Sequence, residues 1–174
     1  KGEENILIDS GASKEIVDNC LIPALKKEGL SLSQISLLTN THCHGDHIGG
    51  HKRIRELSPV KIATYKSSVD KILNPLEYAR CIRSVFKSDS PAPPEILDGV
   101  EADILLEDNE VIGGRLRVIH TPGHDDDAVC WFDEKTGTLI SGDSLQGSGA
   151  TGAGLAFYQD LNEYRASIDK LLTK

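Results

Sequence analysis

Apolar residues along the first part of the chain predict a strand, a helix and a second strand. Residues 5–9 form a short apolar run closed by Ser10 and Gly11, which indicates a buried strand ending in a turn. Ser13 is typical of an N-cap, and apolar residues then recur at helical spacing as far as Gly29. Residues 34–39 predict another buried strand, and a histidine-rich segment begins where that strand should end.

The rest of the chain continues this alternation and then changes to short strands. We expect a strand over 60–65 and helices over 51–57, 66–73 and 76–86. Beyond these, the pattern predicts strands over 103–106, 116–120, 128–132 and 138–141, a hairpin at Gly113-Gly114, and a closing helix over 160–172. This order predicts an α/β fold with two sheets faced by helices, in a single domain spanning residues 1–174. Proline-rich residues 74–95 are interpreted as an insertion on that scaffold.

The six histidines all fall in two short stretches of the sequence, residues 42–51 and 120–124. In an extended segment alternate side chains share one face, so His42 and His44 can reach the same ion while Cys43 points away. A single histidine is more often a surface or hydrogen-bonded residue, but this density within one run favours metal ligands.

The turn at Gly45 should bring Asp46 and His47 toward a neighbouring ion, so one loop predicts two adjacent metal positions. Imidazole and carboxylate ligands suit zinc, with iron or manganese as alternatives. We therefore expect one or two zinc-class ions as the cofactor.

Four segments resemble, in order, the motifs of the metallo-β-lactamase superfamily. Residues 41–47, Thr-His-Cys-His-Gly-Asp-His, resemble its THxHxDH signature. Residues 121–124 resemble its TPGH turn, residues 141–143 resemble its SGD element, and residues 8–11 resemble its first-strand DTG element. The resemblance covers nearly the whole chain.

This resemblance implies an αββα sandwich of two mixed sheets faced by helices, in a chain truncated at both ends. It also implies a first metal site formed by His42, His44 and His124. The second site would receive ligands from Asp46, His47 and Asp143, with Asp9 in a supporting role. Members of the family usually add a last histidine after the final helix, and since no histidine follows His124, the second site is expected to lack one ligand.

The two remaining histidines match no ligand position of the family. His120 precedes the TPGH turn and is expected to pack beside the site or support it. His51 lies one helical turn beyond His47, on a helix that we expect to be exposed.

Hydrolysis by a metal-activated water is the activity that this motif set predicts, with Asp46 as the catalytic base. The sequence carries no GxSxG elbow and no P-loop. The glycine-rich run 147–154 lacks the lysine of a phosphate cradle, and we interpret it as a flexible wall of the active site.

The chain is most similar to the β-lactamase-like protein 2 and glyoxalase II-like branch, which leaves three classes of function open. The first is a zinc-dependent thioesterase or related acyl hydrolase, with a small-molecule acyl or thioester substrate. The second is an endoribonuclease acting on single-stranded RNA, and the third is a non-catalytic module that retains the fold.

The charge and composition of the sequence help to distinguish these classes. The net charge of −8 argues against a general nucleic-acid binder, although residues 52–87 hold nine Lys and Arg against three acids. Residues 95–143 hold thirteen acids against three bases, which should repel a polyanion. Four scattered cysteines without a CxxC pair indicate reduced thiols, and no run is apolar enough for a membrane span, so we expect a cytoplasmic protein, with the mitochondrial matrix as the alternative.

Overall fold

The structure, a computed structural model, describes residues 4–86, 97–146 and 158–173. The chain divides into two compact units, residues 1–64 with 68–105 and residues 65–67 with 106–174. The glycine-rich run and the later part of the predicted insertion lie outside the described residues. Among the helices that are described, none has the length and apolar character needed to cross a membrane.

The first sheet has the strand order β1-β2-β3-β4. Its strands are β1 Asn5–Ile8, β2 Ile35–Thr39, β3 Lys61–Tyr65 and β4 Ile104–Leu106. The strand β2 pairs in parallel with both β1 and β3, and Ile8 lies opposite Thr39 in this register. Because parallel strands end at the same edge of a sheet, the segments that follow Ile8 and Thr39 start side by side.

Helices of the first unit follow the predicted pattern, and Ser13 caps the first of them by accepting a hydrogen bond from the Ile16 N–H. They are α1 Lys14–Ile16, a π-helical turn Val17–Leu21, α2 Ile22–Lys27, α3 Gly45–Ile48, α4 His51–Leu57, α5 Val69–Leu73 and α6 Pro75–Phe86. Their apolar faces join the sheet in one buried cluster that includes Leu38, Ile54, Ile62 and Ile72. Burial of such side chains contributes roughly 1.5 to 3 kcal/mol each.

The second sheet has the order β5-β6-β7-β8 and is antiparallel in the pairings that the structure gives. Its strands are β5 Val111–Ile112, β6 Leu116–His120, β7 Val129–Asp133 and β8 Thr138–Ile140, and helix α7 spans Leu161–Leu172. The hairpin between β5 and β6 turns at Gly113 and Gly114, which both have positive φ. The α/β class with two sheets and helices is confirmed, whereas the single domain and the insertion over 74–95 stay predictions.

Strand β7 begins and ends one residue later than the sequence predicts, so that it includes Asp133, whose carboxylate finds partners there. The Asp133 carboxylate pairs with Arg115, in the turn just before strand β6, and accepts a hydrogen bond from the Lys135 N–H at 3.0 Å. The hydrogen bond from Arg115 is the main reason why the pKa of Asp133 is lowered to about 2. An acidic residue can thus end a strand that is otherwise apolar.

Helix α7 begins at a side-chain cap that a conservative substitution can test. Asp160 Oδ1 accepts hydrogen bonds from the N–H groups of Asn162 and Glu163 at 2.8 and 3.0 Å. We expect Asp160→Ala to lower the free energy of unfolding by about 1 kcal/mol, because two helix N–H groups lose their acceptor. Urea unfolding measures this change. Asp160→Asn keeps a capping oxygen and should stay within about 0.5 kcal/mol of the parent; an equal loss in both variants would contradict the capping role.

Candidate metal centre

The first histidines follow strand β2 at the edge of the sheet where strand β1 also ends. The Asp9 N–H donates to the Thr39 carbonyl oxygen at 2.8 Å, which continues the β1–β2 pairing by one residue. Residues 41–47 therefore leave the sheet directly beside the Asp9 side chain.

Asp9 holds this loop through three hydrogen bonds to its carboxylate. Oδ1 accepts from the Thr41 N–H at 2.7 Å, and Oδ2 accepts from the Thr41 hydroxyl at 3.0 Å. Oδ2 also lies 2.8 Å from His47 Nδ1. Since Nδ1 bonds the carboxylate, Nε2 on the other side of the ring is the nitrogen that a metal ion would bind. Histidines that bind metals commonly have such a carboxylate behind them.

Three imidazole rings of the loop lie close together. The ring centroids of His42 and His44 are 4.5 Å apart, and those of His42 and His47 are 4.1 Å apart. His42 is almost fully buried, so its position is fixed by the interior of the unit. A cluster of imidazole nitrogens, with one of the rings bonded to a carboxylate, is a donor set that zinc-class ions prefer. The residues present therefore fit the ion that the sequence motif implies.

Asp46 differs from these histidines because its side chain is 71% exposed. Its Oδ2 lies 3.7 Å from His47 Nε2, whereas Asp9 contacts the Nδ1 of the same ring. The two carboxylates thus flank His47 from opposite sides. Asp9 holds Thr41 and His47 in place. The Asp46 carboxylate, by contrast, is accessible to solvent and to a substrate.

The second unit carries the other two predicted ligands, and the structure places these two together. His124 Nε2 and Asp143 Oδ2 are 3.6 Å apart. The Gln146 side-chain amide nitrogen lies 3.1 Å from His124 Nδ1 and 3.2 Å from Asp143 Oδ2. Gln146 was not identified from the sequence, since a lone glutamine after a short turn gives no periodic or motif signal.

The loop before His124 is held by residues just before helix α7 and within it. The Gly123 carbonyl oxygen accepts hydrogen bonds from the N–H groups of Gln159 and Asp160 at 2.7 and 3.0 Å. The Pro122 carbonyl oxygen accepts from the Ser167 hydroxyl at 2.8 Å. Because these bonds fix two consecutive carbonyl groups, α7 determines the path of the chain into His124.

A family model described as the metallo-beta-lactamase superfamily matches residues 1–174 of the chain. The chain belongs to this superfamily. The motifs at residues 41–47, 121–124 and 141–143 are therefore those of a superfamily member, and the family predicted from the sequence is confirmed.

Two curated relatives show how far the likeness extends. The beta-lactamase-like protein 2 homolog of Drosophila melanogaster is 32% identical over 177 residues, covering 98% of this chain and 51% of its own length. An atrochrysone carboxyl ACP thioesterase of Emericella nidulans is 26% identical over 171 residues, covering 98% of this chain and 44% of its own length. The chain thus spans about half the length of the curated relatives it matches.

Solved structures give the same fold. A metallo-beta-lactamase family protein from Thermus thermophilus matches with a TM-score of 0.74 at 22% sequence identity. The match covers 98% of this chain and 62% of that protein. At this identity the likeness concerns the fold, and it confirms the metallo-β-lactamase fold that the sequence predicts.

The prediction that His51 lies on an exposed helix is wrong, because the structure shows that its side chain is fully buried. Its Nδ1 lies 2.7 Å from the hydroxyl oxygen of Ser10, at the end of strand β1. Burial lowers the pKa of His51 to about 4, so the ring is neutral near pH 7. The prediction failed because the polar side of the helix is covered by a turn distant in sequence.

His120 and Cys43 lie as expected. His120 stacks on Tyr65 with ring centroids 4.5 Å apart, and its Nε2 lies 2.8 Å from the Asp126 carbonyl oxygen, which is a packing role. Cys43 is buried, and its sulfur lies 3.7 Å from the Asn40 side-chain amide and 3.8 Å from the Ser68 carbonyl oxygen. The thiol therefore faces the interior of its own unit.

Gly123 offers a direct test of the contact between α7 and the loop that carries His124. Gly123 has φ 132°, and a Cβ added there would lie 2.4 Å from the main chain of Tyr164. We expect Gly123→Ala to destabilise the protein by about 3 kcal/mol or more, because backbone atoms cannot yield as a flexible side chain can. The free energy of unfolding measures the effect.

The matched control is Gly137→Ala, where φ is 70° and no heavy atom lies within 4 Å of the added Cβ. This control carries only the cost of a positive φ, about 1 kcal/mol. If the two variants lost the same stability, the close approach of α7 to Gly123 would not constrain the loop.

Proposed function

We propose that this chain is the metal-binding part of a hydrolase that uses a metal-activated water on a thioester or related acyl substrate. The observation that carries the proposal is the group of three imidazoles at His42, His44 and His47, in which Asp9 holds the His47 ring at Nδ1. Such an arrangement, in a member of the metallo-β-lactamase superfamily, favours metal-dependent hydrolysis over a structural role.

The superfamily motifs guide the proposed ligand assignment. His42, His44 and His124 would hold one ion, and Asp46, His47 and Asp143 would contribute to a second. We propose zinc, with iron or manganese as alternatives, because the donors are imidazoles and carboxylates. When bound, such an ion supplies a strongly acidified water at neutral pH and polarises the scissile carbonyl group.

Asp46 is the proposed base for this water. Its carboxylate is exposed and lies on the Nε2 side of His47, the side on which an ion would sit. Asp9 cannot take this role, because its oxygens already accept hydrogen bonds from Thr41 and lie against His47 Nδ1. A carboxylate at the Asp46 position would orient the water and accept its proton.

Thioesters are the favoured substrates for two reasons. One relative that covers nearly the whole chain is named as an ACP thioesterase. In addition, the chain has a net charge of −8, which favours a substrate without a long run of phosphates.

A single-stranded RNA substrate remains the second candidate because residues 52–87 are basic. Several of these bases are already paired with acids of their own unit. Arg53 forms an ion pair with Asp18, and Arg55 pairs with Asp103. Lys66 Nζ lies 2.6 Å from Glu107 Oε2. These pairs reduce the positive potential that a phosphate backbone would meet, which weakens the nuclease alternative.

Replacing Asp46 tests both the base and the non-catalytic alternative. We expect Asp46→Asn to lower kcat for thioester hydrolysis by about 100-fold or more, because the amide cannot accept the proton. Metal content, measured by elemental analysis after zinc dialysis, should remain at one equivalent or more, since histidines supply most of the donors. Activity within a few-fold of the parent would exclude Asp46 as the base.

Cys43→Ser serves as the control within the same loop. The sulfur faces Asn40 and Ser68, so turnover and metal content should both stay close to those of the parent. A parent protein that takes up no metal after zinc dialysis would overturn the proposed hydrolase, and a metal-loaded parent without hydrolytic activity would favour the non-catalytic module.

Side-by-side turnover distinguishes the thioesterase from the nuclease. We expect S-lactoylglutathione or an acyl-CoA to be cleaved with zinc or manganese, and EDTA to abolish the reaction. Single-stranded RNA should be cut slowly or not at all, because acidic residues predominate over 95–143.

Salt dependence provides the second criterion for the same choice. Binding to a phosphate backbone weakens steeply as salt rises, whereas thioester turnover should change little. Efficient RNA cleavage that Arg80→Ala and Arg83→Ala slow, with a flatter salt dependence, would contradict the thioesterase proposal.

A further inference from the structure

A buried hydrogen bond connects Ser10, at the end of strand β1, to His51, the first residue of helix α4. Both side chains are essentially inaccessible to solvent, and the Ser10 hydroxyl oxygen lies 2.7 Å from His51 Nδ1. The two residues are 41 positions apart in the sequence. No superfamily ligand position matches His51, so the metal motif does not account for this contact.

Ser10 also forms hydrogen bonds with the main chain of His47. The Ser10 N–H donates to the His47 carbonyl oxygen at 2.7 Å, and the Ser10 hydroxyl lies 3.2 Å from the same oxygen. The hydroxyl oxygen also accepts the Gly50 N–H at 3.0 Å. Ser10 therefore joins the start of α4 to the main chain of His47, which is a proposed metal ligand.

The Ser10 hydroxyl has one hydrogen to donate. Which acceptor receives that hydrogen depends on which nitrogen of the His51 ring is protonated. Burial lowers the pKa of His51, and the neutral ring carries one N–H. Among the described residues, His51 Nε2 has no hydrogen-bond partner, and a buried N–H without an acceptor is unfavourable. The hydrogen therefore belongs on Nδ1, which donates to Ser10, and the Ser10 hydroxyl then donates to the His47 carbonyl oxygen.

Close packing at the start of α4 keeps this geometry. A Cβ added to Gly50 would lie 2.6 Å from the Ser10 carbonyl oxygen and 2.4 Å from a methyl carbon of Val17. A Cβ on Gly49 would lie 2.1 Å from the Ala12 carbonyl oxygen. Two successive glycines thus let the helix approach the end of β1 within hydrogen-bond distance.

His47 is consequently held at two points by one dipeptide. Asp9 contacts its ring at Nδ1, and Ser10 contacts its carbonyl oxygen. We propose that His51 is a positioning residue for His47, acting through the Ser10 hydroxyl to set the imidazole for a zinc-class ion. The metal part of this inference rests on the proposed function, whereas the orientation of the His47 ring does not.

Two substitutions at His51 separate the hydrogen bond from the filling of space. His51→Leu fills much of the space without a donor, whereas the amide of His51→Asn can place an N–H near the position of Nδ1. We expect His51→Leu to weaken Zn²⁺ binding by about 10-fold or more in competition with a chelator. We expect His51→Asn to restore affinity to within about 3-fold of the parent, because the donor to Ser10 is restored.

Ser10→Ala is the second variant, and it removes the hydroxyl while keeping the main-chain N–H that donates to the His47 carbonyl oxygen. It should weaken Zn²⁺ binding to a similar extent, and the double variant should be no weaker than either single one, because both changes break the same connection. Additive losses, or unchanged affinity in both single variants, would overturn the inference even if His51→Leu lowers stability.

NMR of the metal-free protein gives a readout that does not depend on metal binding. Long-range proton–nitrogen spectra should show the Nδ1–H form of both His51 and His47 in the parent. In His51→Leu or Ser10→Ala the Nδ1 proton of His47 should exchange faster with solvent, because the ring is held less firmly. An unchanged His47 signal would refute the positioning role, whereas a parent that binds no Zn²⁺ but shows the expected signals would refute the proposed hydrolase alone.

Discussion

The carboxylate of Asp9 is the constraint on which the first histidine cluster depends. It reaches from the end of β1 to both the main chain and hydroxyl of Thr41 and to the ring of His47. Asp9 adopts a positive φ of 61°, which costs an ordinary residue about 1 kcal/mol. The three hydrogen bonds offset that cost, and they exist because the parallel pairing of β1 and β2 brings Ile8 opposite Thr39. A shift of one residue in this register would turn the carboxylate away from the loop.

The start of the loop is polar and buried, which is expensive unless every group finds a partner. Asn40, Thr41 and His42 are all nearly inaccessible to solvent. The Asn40 side chain accepts a hydrogen bond from the Thr64 hydroxyl at 2.9 Å, which ties the loop to strand β3. Such contacts fix the imidazoles before any ligand arrives, and a prearranged set of donors binds an ion with little loss of side-chain freedom.

In the second unit, hydrogen bonds to the main chain hold the segment that carries the candidate ligand His124. Here the main chain before His124 is held by donors from the final helix region, and Lys170 Nζ donates to the His120 carbonyl oxygen at 2.9 Å. The absence of a side chain at Gly123 permits this approach. In both units a glycine or a turn lets an element distant in sequence bind carbonyl groups next to a ligand, so the position of each ligand is set by backbone contacts as much as by its own side chain.

The sequence by itself determined the elements, the superfamily and the candidate ligands. Apolar periodicity, the cap Ser13 and the hairpin glycines are local signals, and the ligand motifs are short contiguous runs that need no knowledge of the fold. Only the tertiary structure decided that His51 is buried against Ser10, that Gln146 joins His124 to Asp143, and that Lys66 is neutralised by Glu107. The bonds to Ser10 and Glu107 each join residues 41 positions apart, and the approach of Gln146 to His124 spans 22 positions. Which face of a helix or turn meets a distant partner depends on packing between elements, and a pattern of polar and apolar positions along one element does not contain that information.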